Sequence, residues 1–127
     1  MSTPSDCMFS ESHEWYRIEG DLVTVGITQY AANELTDITY VEMQPAGTLV
    51  QAGGSVGEVE SVKTTSDIYC PFAGEITEVN EAPAADPATL NRDPYQGGWL
   101  IRVRVNDLAP RDGLLDQVTY DQRYPVE

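Results

Sequence analysis

Turn signals recur so often along this chain that it has room for little besides short strands. Glu19-Gly20-Asp21 separates the β-prone runs 14–18 and 22–25, which read as a hairpin. Pro45-Ala46-Gly47 turns the chain after the alternating run 38–43, and Ala73-Gly74 turns it between the strand-like runs 67–72 and 75–79. Runs 55–62 and 99–105 complete the set of strands. Gln29-Tyr30-Ala31-Ala32-Asn33-Glu34-Leu35 follows Thr28, an N-cap residue type, and predicts a short helix. The stretch 81–98, with Pro83, Pro87 and Pro94, predicts a long ordered loop; 110–115 predicts a helical turn, and a polar tail follows from Asp116. This pattern specifies a mainly β fold, a sandwich or flattened barrel with small helices.

At 127 residues the chain is one domain, 1–127, able to bury about two-thirds of the surface its unfolded form exposes. A formal net charge of −14 argues against nucleic acid or an acidic membrane as partner and favours partners with basic docking faces. Residues 1–12 show no signal-peptide pattern and no run approaches a membrane span, so the expectation is a cytoplasmic protein. Two cysteines make no disulfide framework: Cys70 reads as a small buried strand residue and Cys7 as part of a loose N-terminal segment. With His13 as the lone histidine, no Cys/His cluster suggests a metal site.

Lys63 is the sole lysine; the other six basic residues are arginines, among twenty-one carboxylates. Adaptation of a very acidic surface to salt is one explanation of that count. The other is a single site for amine chemistry. Lys63 lies between the β-prone runs that end at Val62 and resume near Asp67, so it stands at a hairpin tip, where a modifying enzyme reaches the amine without unfolding anything. A Schiff-base lysine needs an apolar pocket or a neighbouring cation, whereas Glu58, Glu60 and Asp67 are the near neighbours here. The chain therefore offers Lys63 for modification and disfavours it as a nucleophile of its own.

Glu60-Ser61-Val62-Lys63, then Ser66-Asp67-Ile68-Tyr69, Pro71 and Ala73-Gly74-Glu75-Ile76, resemble the lipoyl-lysine hairpin of lipoyl domains, specifically that of the glycine cleavage system H protein family. Lipoyl domains carry a glycine sixteen residues before the lysine and another eleven after it, the positions of Gly47 and Gly74. The resemblance extends through Ser12-His13-Glu14-Trp15, Gly26-Ile27-Thr28, Asn91-Arg92-Asp93-Pro94-Tyr95, Gly98-Trp99, Leu114-Leu115 and Tyr120. Biotin carrier domains, the nearest structural cousins, place their lysine between methionines; Val62 and Thr64 flank Lys63.

The resemblance implies a flattened barrel of two antiparallel sheets, the barrel-sandwich hybrid of lipoyl domains, with lipoate joined covalently to Lys63. Acylation would take the formal charge from −14 to −15. Glu60 would guide the lipoate-attaching enzyme, and Glu14 and Asp67 would lie where a loaded arm rests; without the resemblance all three read as surface carboxylates. Further implied partners are glycine decarboxylase, which loads an aminomethyl group onto a lipoyl sulfur, and aminomethyltransferase, which passes the carbon unit to tetrahydrofolate and releases ammonia. A flavin-dependent dihydrolipoyl dehydrogenase closes the ring again. The chain itself would be a non-catalytic carrier, with no catalytic residue of its own. His13, Trp15, Tyr95 and Trp99 read as structural residues.

Two departures bear on the cargo. The family has Leu-Gly-Asp where this chain has Leu35-Thr36-Asp37, and an alanine where it has Thr64. H-like lipoate-binding proteins also serve a heterodisulfide-reductase-like complex in sulfur oxidation, and the Thr36 and Thr64-Thr65 variants suit that alternative partner. An independent enzyme using His13 or a cysteine is a third reading, unsupported by any spaced triad or nucleophile elbow.

Overall fold

The computed structural model describes residues 3–126. Strands β1 (Cys7–Phe9), β2 (Glu14–Glu19) and β3 (Leu22–Ile27) lead into helix α1 (Gln29–Leu35). Strands β4 (Ile38–Met43), β5 (Leu49–Val50), β6 (Gly54–Ser61), β7 (Thr65–Cys70) and β8 (Gly74–Val79) follow. Helices α2 (Ala82–Ala85) and α3 (Thr89–Arg92), strand β9 (Ile101–Val105), a 3-10 turn (Ala109–Gly113) and helix α4 (Gln117–Arg123) complete the order. They form two antiparallel sheets, β1-β2-β3-β9-β8-β5 and β4-β6-β7.

One face of each sheet goes into a shared core. Val23, Val25, Ile76, Ile101 and Val103 come from the six-stranded sheet, and Val41, Val56, Val59 and Ile68 from the three-stranded one. Burying each such side chain contributes about 1.5–3 kcal/mol, enough to fix the register of strands whose opposite face is polar. In β7 the alternation is clean, with Ile68 and Cys70 inside and Asp67 and Tyr69 outside. In β4 a bulge between Ile38 and Tyr40 breaks it, so Thr39 and Tyr40 both face solvent. A smaller cluster, Phe9, Trp15, Tyr95 and Tyr120, packs at the other side of β2.

The hairpin across Gly20 and the helix over residues 29–35 form as the sequence predicts, the latter capped by Thr28, whose side-chain oxygen accepts from the Ala31 amide. Four expectations are corrected. Cys7 does not lie on a loose segment: β1 pairs with β2 and leaves Cys7 3% exposed, which pushes its thiol up to about 12. The stretch 81–98 is not all loop but contains α2 and α3, the first admitted by Pro83, whose missing N–H costs nothing in a first helical turn. The tail is helical, because Asp116 caps α4 through the Thr119 amide and Tyr120 is fully buried against Phe9. Gly74 is not a turn residue: it opens β8 between Val50 and Val105, where a Cβ would collide with the Arg104 carbonyl oxygen. Gly47 does sit in a turn, at φ 93°, and its amide donates to the Ile76 carbonyl at 2.7 Å.

Candidate functional site

The β6–β7 hairpin places Lys63 where its sequence neighbours predict. Val62, Lys63 and Thr64 form the tip, closed by the Ser61 amide donating to the Thr64 carbonyl at 2.8 Å. The Ser61 hydroxyl oxygen accepts from the Lys63 and Thr64 amides at 3.1 and 3.2 Å, so one side chain satisfies both amides of the turn. That role of Ser61 was hidden in the sequence, where it reads only as part of the motif. Val62 is 67% exposed and Lys63 is exposed, so no apolar pocket surrounds the amine. Among the described residues, the tip's hydrogen bonds outside its hairpin go to the corner between α1 and β4. The Val62 amide donates to the Asp37 carbonyl at 3.1 Å, and Lys63 Nζ donates to the Glu34 carbonyl at 3.2 Å.

Around this tip the three-stranded sheet is acidic. Glu42, Glu58 and Asp67 stand in register across β4, β6 and β7, like charges side by side, and line a groove of about 440 Å³ with Met43 and Ser55. Glu60, partly exposed, is two pairs nearer the tip, between Tyr40 and Thr65. The field is felt by Tyr40, whose hydroxyl pKa is raised first by its bond to Glu42 and further by the charges of Glu60 and Glu58. No arginine lies between Arg17 and Arg92, so Lys63 is the one cation this sheet carries. Arg17, Arg92 and Arg102 pair elsewhere, with Asp6, Asp86 and Glu78.

Glu14 is not the surface charge its sequence suggests. It is 1% exposed, and its carboxylate accepts from the Ser10 and Ser12 hydroxyls and from the Tyr69 amide at 3.2 Å, with Tyr16 Oη 3.3 Å away. Tyr16 in turn donates to the Tyr69 carbonyl at 2.7 Å, and burial with the adjacent Glu14 charge raises its hydroxyl pKa. Glu14 therefore ties β2 to β7, with both carboxylate oxygens accepting from the chain itself. Asp67 by contrast is exposed on the groove, with Tyr69 Oη at 3.5 Å. His13 holds a positive φ of 74° and lies 2.9 Å from Tyr120 Oη, its ring packed by Tyr30 and Tyr124, each with centroids 4.6 Å away. Burial lowers its pKa against the opposing pull of Glu14 and Glu34. The structural reading of His13 agrees with these contacts. Trp15 and Tyr95 are buried as well, with the Trp15 indole N–H donating to the Pro94 carbonyl at 3.0 Å.

The structure thus gathers Lys63, Glu60 and Asp67 on one hairpin, sets Glu14 against its strand β7 and packs His13 among Tyr30, Tyr120 and Tyr124. A family model described as the glycine cleavage H-protein matches residues 7–125. The glycine cleavage system H protein of Thermus thermophilus is 48% identical over 122 residues, covering 96% of this chain and 95% of its own. That of Rubrobacter xylanophilus is 50% identical over 124 residues, covering 98% and 96%. A crystal structure of a glycine cleavage system H protein from Mycobacterium marinum superposes with a TM-score of 0.85 at 40% identity, covering 98% of this chain and 100% of that one. With hairpin, sheets and helices all shared over nearly the whole length, the chain belongs to the glycine cleavage H-protein family.

Proposed function

We propose that this chain carries a lipoyl group on Lys63 and shuttles an aminomethyl unit between the decarboxylating and aminomethyl-transferring components of glycine cleavage. The observation that carries the reading is the tip: the sole lysine, exposed, on a turn whose backbone is held by Ser61 within and by Asp37 without. The surroundings fit an amide-linked arm, since the exposed amine lies in no apolar pocket and its one recorded bond, to the Glu34 carbonyl, can be kept by an amide N–H. When attached, the group supplies a disulfide that opens to give a carrier thiol.

The chain's own part is presentation and docking. Glu60 stands one strand pair from the tip, the position from which a lipoate-attaching enzyme would read the hairpin. Asp67, on the groove, is the carboxylate available to an arm folded back on the sheet. Glu14, buried and bonded to the Tyr69 amide, serves by holding β7 in place. Acylation removes the one cation of the three-stranded sheet, leaving Glu42, Glu58, Glu60 and Asp67 as an unbroken acidic face that attracts basic faces of the decarboxylase, the aminomethyltransferase and dihydrolipoyl dehydrogenase. The chain catalyses no step. The sulfur-carrier alternative gains no support from the relatives, which are named as glycine cleavage proteins.

Reconstitution tests this reading. The lipoylated chain supports glycine-dependent turnover with those three enzymes, and its apparent KM rises with ionic strength as the acidic face is screened. Absence of turnover, or a KM indifferent to salt, contradicts it.

A further inference from the structure

We propose that Asn91 is the positioning residue for the Lys63 hairpin, acting through the corner between α1 and β4 on which the tip rests. The role rests on reading Lys63 as the residue to be acylated; the contact it explains is that of the tip with the corner.

The corner has to be held, because it contains a residue that resists its own conformation. Thr36 ends α1 at φ 62° and ψ −140°, where glycine sits freely and a β-branched side chain does not. On either side of it lie the two carbonyls that receive the tip, Glu34 for Lys63 Nζ and Asp37 for the Val62 amide. Relaxation of Thr36 would re-aim Asp37 and release Val62.

Asn91 prevents this from both sides. Its Nδ2 donates to the Thr36 carbonyl at 2.7 Å and reaches the Ala32 carbonyl at 3.5 Å, and its Oδ1 accepts from the Ile38 amide at 3.2 Å. A side-chain amide is suited to this, offering two donors and an acceptor from one rigid plane. Asn91 is itself fixed: its carbonyl accepts from Gln29 Nε2 at 3.3 Å, and its neighbour Leu90 is fully buried. The line of support runs from α3 through residues 36–38 to the hairpin tip. Acylation of Lys63 turns its bond to Glu34 into a neutral one and leaves the Val62–Asp37 bond untouched, so the root of the arm stays fixed in the loaded protein. A tip docked for only a fraction of the time would raise the apparent KM of any enzyme that acts on the docked form by the inverse of that fraction.

The experiment uses the full unmodified chain in four forms: wild type, Asn91→Ala, Thr36→Gly and the double variant. Amide hydrogen exchange is read by NMR at Val62 and, as a core reference, at Val103. Asn91→Ala is expected to speed exchange at Val62 about tenfold more than at Val103, since only the local opening is made easier. With Thr36→Gly the corner no longer needs holding, so the same change speeds Val62 by less than about threefold. In parallel, a purified lipoate-attaching enzyme should show a raised KM for Asn91→Ala with kcat kept, and recovery of KM in the double variant. Equal acceleration at Val62 and Val103, or the same factor in both backgrounds, overturns the proposal in favour of a general stabilising role. Should the alanine variant fail to fold, Asn91→Asp gives the same test, keeping the acceptor for Ile38 and losing the donor to Thr36. If wild-type Lys63 is not acylated at all, the carrier reading falls while exchange at Val62 still decides the role of Asn91.

Discussion

Residues 10–16 and residues 60–64 both set a glutamate among serine or threonine hydroxyls at the end of a strand, and they use it in opposite ways. Glu14 accepts from two serine hydroxyls and one amide and is 1% exposed. The Glu60 carboxylate accepts from none of the described donors around the tip and stays partly exposed; there the Ser61 hydroxyl turns to the backbone instead. A buried carboxylate whose donors come from the chain is part of the fold, and one left open in an acidic field is available to another protein. The difference between a structural and a recognition residue lies in who supplies the donors.

Several substitutions break or sharpen this contrast. The largest effect belongs to Lys63→Arg, which keeps charge and exposure and removes the acylable amine: lipoylation and turnover vanish, while Tm moves by less than about 2 °C. Glu14→Ala should cost about 3 kcal/mol in denaturant unfolding, because it removes the acceptor of the Tyr69 amide and of the partly buried Ser10 hydroxyl. Next, Glu60→Gln should leave unfolding unchanged and lower kcat/KM of the lipoate-attaching enzyme about tenfold, the expected scale for a charged contact with a partner. Were Glu60→Gln to destabilise as Glu14→Ala does, the contrast would fail.

The smallest effect concerns His13. Its folded pKa is lowered below the ordinary 6.5, so the stability it contributes is present above that value and lost as pH falls through the folded one. His13→Asn keeps a residue type that tolerates positive φ and removes the titration. Wild type should therefore lose more stability than His13→Asn between roughly pH 7 and pH 5, followed by thermal unfolding. Equal losses would mean that the ring between Tyr30 and Tyr124 does not sense its burial.

What could be read from the chain was what local chemistry decides. The Thr28 cap, the turn at Gly20 and the lysine between two strand runs each depend on a few adjacent residues, and each is found as read. Features decided by distant partners were not legible. Cys7 and Tyr120 look peripheral until β1 pairs with β2 and α4 packs on Phe9. Glu14 looks exposed because its Tyr69 donor is 55 residues away. Gly74 looks like a turn residue because nothing nearby announces the Arg104 backbone across the sheet. Thr36 stood out as a departure from the family's glycine, and the positive φ explains why a glycine suits that corner.

The central claim is that Lys63 is presented for acylation and that the buried end of the molecule serves only to hold it there. Intact and peptide mass analysis of the chain made in a lipoylating host supplied with lipoate tests it most directly. One lipoyl group is expected per chain, on the peptide containing Lys63 and absent from Lys63→Arg. Unmodified Lys63 under those conditions would contradict the account.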